Sequence, residues 1–268
     1  NLNVENNVEM LNPLSSDLKV MRQSLLFSGL ESVAYNINRK NNALKLYEFG
    51  KTYHKYNEKY QEDKHLTLFV TGNRTKDSWK TVSQNSDFFY VKGIITTVLE
   101  RLGINNPKTT PTKNDVFSEG ITLSLGKIKL VDFGVVKRTV LKEFGIKQEV
   151  LFADINWDNV LKLCGNKKIK VYELPKYQAV KRDLALLIDN KITFKEIYNL
   201  ANQSEKSLLK EVDLFDVYEG EKLPEGKKSY AVSFVLQDEN KTLEDKQIDK
   251  IMQKLQATFE KNLEAVLR

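Results

Sequence analysis

The last third of the chain alternates structure in a single order: strand, helix, strand, strand, helix, strand. Residues 182–189 put Leu184, Leu186 and Ile188 on one face of an extended segment. Thr193 and Glu196 have the spacing of a capping box, which predicts a helix from there to about residue 203. A second strand is expected over 208–219 and a third over 228–238, joined by the polar hairpin "EGEKLPEGKK". Thr242 followed by Asp245 repeats the capping pattern. It predicts a helix to about residue 262 that buries Ile248, Ile251, Leu255 and Phe259, before a last strand over 263–268. Two strand–helix–strand units in tandem close into a four-stranded antiparallel sheet with both helices on one face.

The other face of that sheet is the informative one. In the third strand, Tyr230, Val232, Phe234 and Leu236 are large and meet the helices, so Ser229, Ala231, Ser233 and Gln237 point away from them. Asp183 and Ala185 are the matching positions of the first strand. The second strand is harder to phase because Leu214, Phe215 and Val217 leave both faces partly apolar; Asp216 and Tyr218 are assigned to the open side. Single-stranded RNA is held by stacking bases on aromatic planes and reading their edges with polar groups. Tyr218 and Tyr177 supply candidate planes, and Asp183, Asp216, Ser229 and Ser233 supply edge partners. Ala185 and Ala231 allow close approach, while Lys181, Arg182, Lys227 and Lys228 are placed to hold phosphates. The competing reading of such a face is a packing surface for another protein domain.

The bulk numbers agree with a polyanion partner without demanding one. The chain has 268 residues, 41% of them hydrophobic, and a net charge of +6. Lys167, Lys168, Lys170, Lys176, Lys181 and Arg182 stand against Glu173 alone. No apolar run approaches the ~20 residues of a membrane span, so no membrane partner is expected. The start, "NLNVENNVEMLNP", has neither an initiating Met nor the pattern of a secretory signal, and the chain is read as a piece of a longer protein. Cys164 is the only cysteine, which rules out an internal disulfide and suits a reducing cytoplasm. His54 and His65 are the only histidines, lack zinc-site spacing, sit near no nucleophile motif and are read as structural. The stretch "CGNKKIKVYELP" separates two domains, 1–165 and 175–268.

The first of these is expected to be an α+β domain on an antiparallel sheet. A helix over 24–39 carries Leu26, Leu30, Val33 and Ile37 on one face. Strands are expected over 44–49, 52–56, 65–72, 121–125, 127–136 and 149–154. Ser86 or Asp87 caps a helix to about residue 102, a short helix lies near 137–143, and Asn156 caps a last one.

Together "AVKRDLALLID", "LFDVYEG", the Lys-Lys-Ser of "EGKKSYAV", "LQDENKTL" and the terminal Leu-Arg resemble the ferredoxin-fold anticodon-binding domain. Gln178 departs from that pattern, where Pro is commoner, and affects a strand entry. "NPLSSDLKVMRQSLLFSGLESVAYNINRK" with "LKLYEFGKTY" resembles the catalytic-like domain of the bacterial phenylalanyl-tRNA synthetase beta subunit family. The resemblance implies a class II synthetase-like antiparallel sheet domain followed by a ferredoxin-like βαββαβ domain. It implies binding of the anticodon region of the phenylalanine tRNA. It also implies docking, through residues 12–39, of a catalytic alpha subunit in a heterotetramer of two alpha and two beta chains. ATP and Mg²⁺ would serve the whole enzyme, with none bound by this chain. Class II activation uses an arginine two residues before a glutamate on one strand. Here Leu46 precedes Glu48, and the second expected arginine has only Arg138, beyond the lone Gly134. The first domain is therefore expected to be non-catalytic. The alternatives are a self-sufficient ATP-dependent ligase and a protein-interaction module.

Overall fold

The computed structural model describes residues 2–57, 59–76, 78–165, 173–220 and 223–268. Lys167, Lys168 and Lys170 of the expected basic linker lie outside the described residues. The chain divides into two compact units, Asn1–Ile169 and Lys170–Arg268. No helix among the described residues is long and apolar enough to cross a membrane.

In the first unit the elements are α1 (Leu26–Ile37), β1 (Leu44–Tyr56), β2 (Lys59–Thr71), α2 (Phe88–Arg101), β3 (Lys108–Pro111), β4 (Phe117–Leu125), β5 (Ile128–Val136), α3 (Arg138–Glu143), β6 (Val150–Asn156) and α4 (Trp157–Cys164). The strands form one sheet in the order β1-β2-β6-β5-β4-β3, antiparallel at every pair. One face packs Leu66, Val131, Phe133, Ala153 and Ile155 under Val91, Ile95 and Leu99 of α2 and Val160 of α4. The other packs Phe69, Val136 and Phe152 against Leu26, Leu30 and Val33 of α1 and Leu141 of α3. Asp87 and Asn156 cap their helices as expected, accepting from Tyr90 N–H at 2.7 Å and Asn159 N–H at 2.8 Å.

Three expectations for this unit need correction. Residues 44–56 form one strand, not two with a break at Gly50. The glycine makes room instead: a Cβ there would lie 2.5 Å from Arg22 Nη2 and from Leu25 Cδ2. The next strand begins at Lys59, well before His65. Its first half pairs only with β1, because β6 reaches no further than His65. Residues 51–56 and 59–64 are thus a two-stranded ribbon whose faces carry no alternation to read. Finally, β3 has no counterpart among the expected strands; it is a four-residue edge strand, "KTTP", without an apolar face.

The second unit contains β7 (Val180–Asp189), α5 (Phe194–Ser204), β8 (Leu209–Tyr218), β9 (Lys227–Leu236), α6 (Asp245–Leu263) and β10 (Val266–Leu267). The sheet order is β10-β7-β9-β8, again antiparallel throughout. Val232, Phe234 and Leu236 are fully buried with Ile197 and Ala201 of α5 and Ile248, Leu255 and Phe259 of α6. Both helices therefore share one face. The Glu196 carboxylate accepts from the Thr193 N–H at 2.7 Å and from its hydroxyl at 2.8 Å. Thr242 does not cap α6: the N-cap is Glu244, whose carbonyl receives the N–H of Ile248. Burial of Leu243 in the core fixes the chain first, and the helix starts after it. The final strand is only two residues long, because α6 runs on to Leu263 and Glu264 ends it with φ 49°.

Candidate nucleic-acid interface

Strand β9 lies between β7 and β8, so three of its outward residues, Ser229, Ala231 and Ser233, have a partner on both sides. Ser229 faces Leu187 and Tyr218, Ala231 faces Ala185 and Asp216, and Ser233 faces Asp183 and Asp213. These rows form the face opposite the helices. At one end they enclose a groove of about 520 Å³ lined by Ala185, Asp216, Tyr218, Ser229, Ala231 and Arg268. The two alanines keep its floor low. Arg268 is not among the site residues expected from the sequence. Its backbone N–H bonds to the Ala185 carbonyl at 3.0 Å, and its guanidinium carbon stands 5.5 Å from the Tyr218 ring centroid. A terminal arginine reveals nothing by itself; only the pairing of β10 with β7 brings it here.

The remaining expected residues are distributed unevenly. Lys181 shares the open face, with its ammonium 5.6 Å from the Phe215 ring. Lys227 lies on the same side, opposite Asp189. Asp183 sits beside Ser233, outside the groove lining. Ser233 is 1% exposed, so it does not offer its hydroxyl to a ligand in this conformation. Tyr177 precedes β7 and is not part of the groove; its carbonyl accepts from Gln237 Nε2 at 2.7 Å.

Arg182 and Lys228 do not lie where the sequence reading puts them. Each is adjacent in sequence to an outward residue, and neighbours along a strand point to opposite faces. Lys228 is 7% exposed, donates to the Asn190 carbonyl at 2.9 Å and stands 4.6 Å from the Tyr230 ring centroid. Arg182 pairs with Phe234 on the helix side, and its Nη2 is 3.8 Å from an Asp245 carboxylate oxygen. Of the four cations expected from the sequence, Lys181 and Lys227 thus face outward, near strand ends, where Arg268 joins them. Asp213 and Asp216 lie midway along the edge strand β8, and Asp183 lies on β7 across Ser233 from Asp213.

The uncertain phase of β8 has a structural cause. Its register shifts between Leu214 and Asp216, which leaves Phe215 as an extra residue. The bulge lets Leu214 face the core while Asp216 and Tyr218 still face outward.

In the first unit, a polar row crosses the sheet from Glu48 through Thr67, Asp154, Asp132 and Thr122 to Thr110. Its members are largely satisfied by neighbours. Arg22 Nη1 lies 2.8 Å from Glu48, and Asp132 accepts from Thr122 at 2.6 Å and pairs with Lys129. His65 bridges Asp154 through Nδ1 at 2.6 Å and Thr52 through Nε2 at 3.1 Å. Burial pulls the His65 pKa down, but the Asp154 hydrogen bond and charge, aided by Asp63 and Asp158, leave it raised. Burial lowers that of His54. Leu46 packs against the α1 cluster, and Arg138 opens α3 at the surface.

Comparison with known proteins bears on both units. The family described as "Phenylalanyl tRNA synthetase beta chain CLM domain" matches residues 2–157, and "Ferredoxin-fold anticodon binding domain" matches residues 175–268. The phenylalanine–tRNA ligase beta subunit of Bacteroides fragilis is 48% identical over 98% of this chain and 34% of that protein. The chain belongs to the phenylalanyl-tRNA synthetase beta chain family. The corresponding beta subunit of Porphyromonas gingivalis is 42% identical over 97% of this chain and 33% of its own length. The chain thus spans about a third of the beta subunits it matches. Among solved structures it is similar to the pyrrolysyl-tRNA synthetase of Desulfitobacterium hafniense. That likeness has a TM-score of 0.45 and 13% identity, over 59% of this chain and 53% of that one. The groove of Tyr218, Asp216 and Arg268 thus lies in the unit of this beta chain that matches an anticodon-binding family.

Proposed function

We propose that this chain is the C-terminal part of a phenylalanine–tRNA ligase beta subunit that holds the anticodon region of the phenylalanine tRNA and docks a catalytic alpha subunit. The complete enzyme, two alpha and two beta chains in the cytoplasm, would then attach phenylalanine to that tRNA. The observation that carries this reading is the Tyr218 ring beside the Asp216 carboxylate, over a floor of Ala185 and Ala231. An unpaired base stacks on Tyr218, and Asp216 accepts from its amino or ring N–H groups. Arg268, displaced from the ring by the incoming base, is left free to meet a phosphate. Lys181 and Lys227 neutralise the flanking backbone, which makes binding salt-dependent.

The first unit takes a different role. Leu46, partly buried against the α1 cluster where a class II enzyme would present an arginine, gives no grip on ATP phosphates. ATP and Mg²⁺ act in the complete enzyme, and this chain contributes no reacting group. Leu14, Leu18, Phe27 and Tyr35 are exposed along the segment 12–39, and large apolar side chains of that kind suit a permanent subunit interface. Co-purification with a phenylalanyl synthetase alpha subunit, followed by aminoacylation with and without this chain, tests the whole proposal. Titration of this chain with ATP and phenylalanine tests the self-sufficient ligase, and no heat is expected from either.

A further inference from the structure

The groove does not account for the most exposed aromatic residue on the open sheet. Phe215 is 53% exposed, although it belongs to the strand that carries Asp216 and Tyr218. As the residue after core-facing Leu214 it turns outward, and the bulge lets Asp216 face the same way, so that Phe215 and Asp216 share the open side. Lys181 reaches it from β7, across the intervening strand β9. The contact is 5.6 Å from ammonium to ring centroid. Beneath this pair, Ser233 is closed off from solvent.

Phe215 and Tyr218 lie along the same strand and on the same side. At about 3.3 Å per residue, and allowing for the bulge, their positions are roughly 8–10 Å apart. Four-stranded sheets that read single-stranded RNA carry two or three bases on neighbouring aromatic side chains. The charge layout fits the same occupant. Asp213, two residues before Phe215 on β8, accepts from a base edge, with Asp183 across Ser233 from it, while Lys181 supplies a cation for a phosphate.

We propose that Phe215 and Lys181 form a second nucleotide subsite, next to the Tyr218 groove, which stacks a neighbouring unpaired base of the same RNA strand. This rests on the RNA-binding role proposed for the sheet and adds a residue that determines how many nucleotides the sheet engages. Lys181 covers Phe215 in the free protein and moves to the phosphate when the base arrives.

The test uses the complete 268-residue chain, and as probe an anticodon stem-loop of the phenylalanine tRNA with 2-aminopurine at successive loop positions. Phe215→Leu keeps an apolar side chain at the bulge and removes the plane; Phe215→Trp restores a plane. The expected result is about 5- to 150-fold weaker binding for Phe215→Leu, with near wild-type affinity for Phe215→Trp. The expected fluorescence change is that Phe215→Leu unquenches one loop position and Tyr218→Ala a neighbouring one. If Phe215→Leu binds as wild type while Tyr218→Ala is weakened, the second subsite is wrong and the anticodon-binding reading stands. If neither variant changes affinity in a folded protein, that reading fails and the subsite with it. If Phe215→Leu spares RNA binding but disrupts association with the alpha subunit, the position is a protein contact and the proposal is overturned.

Discussion

Arg268 and Tyr218 meet although 50 residues separate them in sequence: the guanidinium stands over the phenol ring because β10 pairs with β7. The arrangement predicts unequal losses of stem-loop affinity. Tyr218→Ala should weaken binding by ~1–3 kcal/mol, the usual range for one stacked base. Arg268→Ala should cost less and should also flatten the salt dependence, because one phosphate contact disappears. Fluorescence anisotropy across a range of salt concentrations measures both effects.

The adjacent lysines 227 and 228 should behave differently. Lys227→Ala is expected to reduce the slope of log affinity against log salt by about 0.7 without altering stability. Lys228→Ala removes a buried ammonium that bonds the Asn190 carbonyl. It should destabilise the second unit by about 0.5–1.5 kcal/mol through the lost hydrogen bond, with the lost packing of its stem added. Thermal melts alongside binding isotherms separate the two.

Much of the second unit is legible in the sequence, and the failures are specific. The run Tyr230, Val232, Phe234, Leu236 announces its buried face because every second residue is large. The same rule, carried one step further along each strand, puts Lys228 and Arg182 on the helix side; Lys228 is buried there, while Arg182 stays exposed. Phe215 is unreadable because a bulge breaks the period of two on which such a reading depends. Arg268 escapes because its place comes from strand pairing, which no local pattern encodes. In the first unit, Gly50 has the look of a strand break and is instead a space-maker for Arg22 and Leu25.

The caps offer a check on that contrast. Thr193→Ala removes the hydroxyl and leaves the Glu196 carboxylate with one partner fewer, so a loss of about 1 kcal/mol is expected. Thr242→Ala should be close to neutral, since Glu244 holds the N-cap position of α6. Urea titration of the two variants decides.

Two glycines should respond to alanine with opposite signs. Gly93 lies within α2, where an added methyl would have nothing within 4 Å of it, and Gly93→Ala should stabilise by about 0.5–1 kcal/mol. At Gly134 the added carbon would fall 2.1 Å from the Glu119 carbonyl oxygen on the paired strand. Gly134→Ala should destabilise by more than about 2 kcal/mol, as overpacking against backbone does. Melting temperatures will show the two shifts.

His65 gives the first unit a pH dependence whose sign follows from its raised pKa. Its contribution is fully present below the ordinary histidine value near 6.5 and is lost as pH rises through the higher folded value. His54 acts the other way, since burial lowers its pKa and its neutral form is the one the fold accepts. The difference between wild type and His65→Gln in stability against pH isolates the first effect. That difference should shrink as the solution becomes alkaline. Leaving Thr52 and Asp154 without their partner is expected to cost His65→Gln about 1–3 kcal/mol at the acid end.

If the open sheet binds RNA as proposed, carboxylates midway along its strands, with Lys181 and Lys227 near strand ends, would make that surface a filter. A double helix laid flat would press its sugar–phosphate rails onto Asp183, Asp213 and Asp216 and be repelled. A looped strand that turns its bases down and its phosphates outward meets acceptors below and positive charge at the sides. The acidity that looks unsuited to a polyanion would thus exclude paired RNA and admit the unpaired loop.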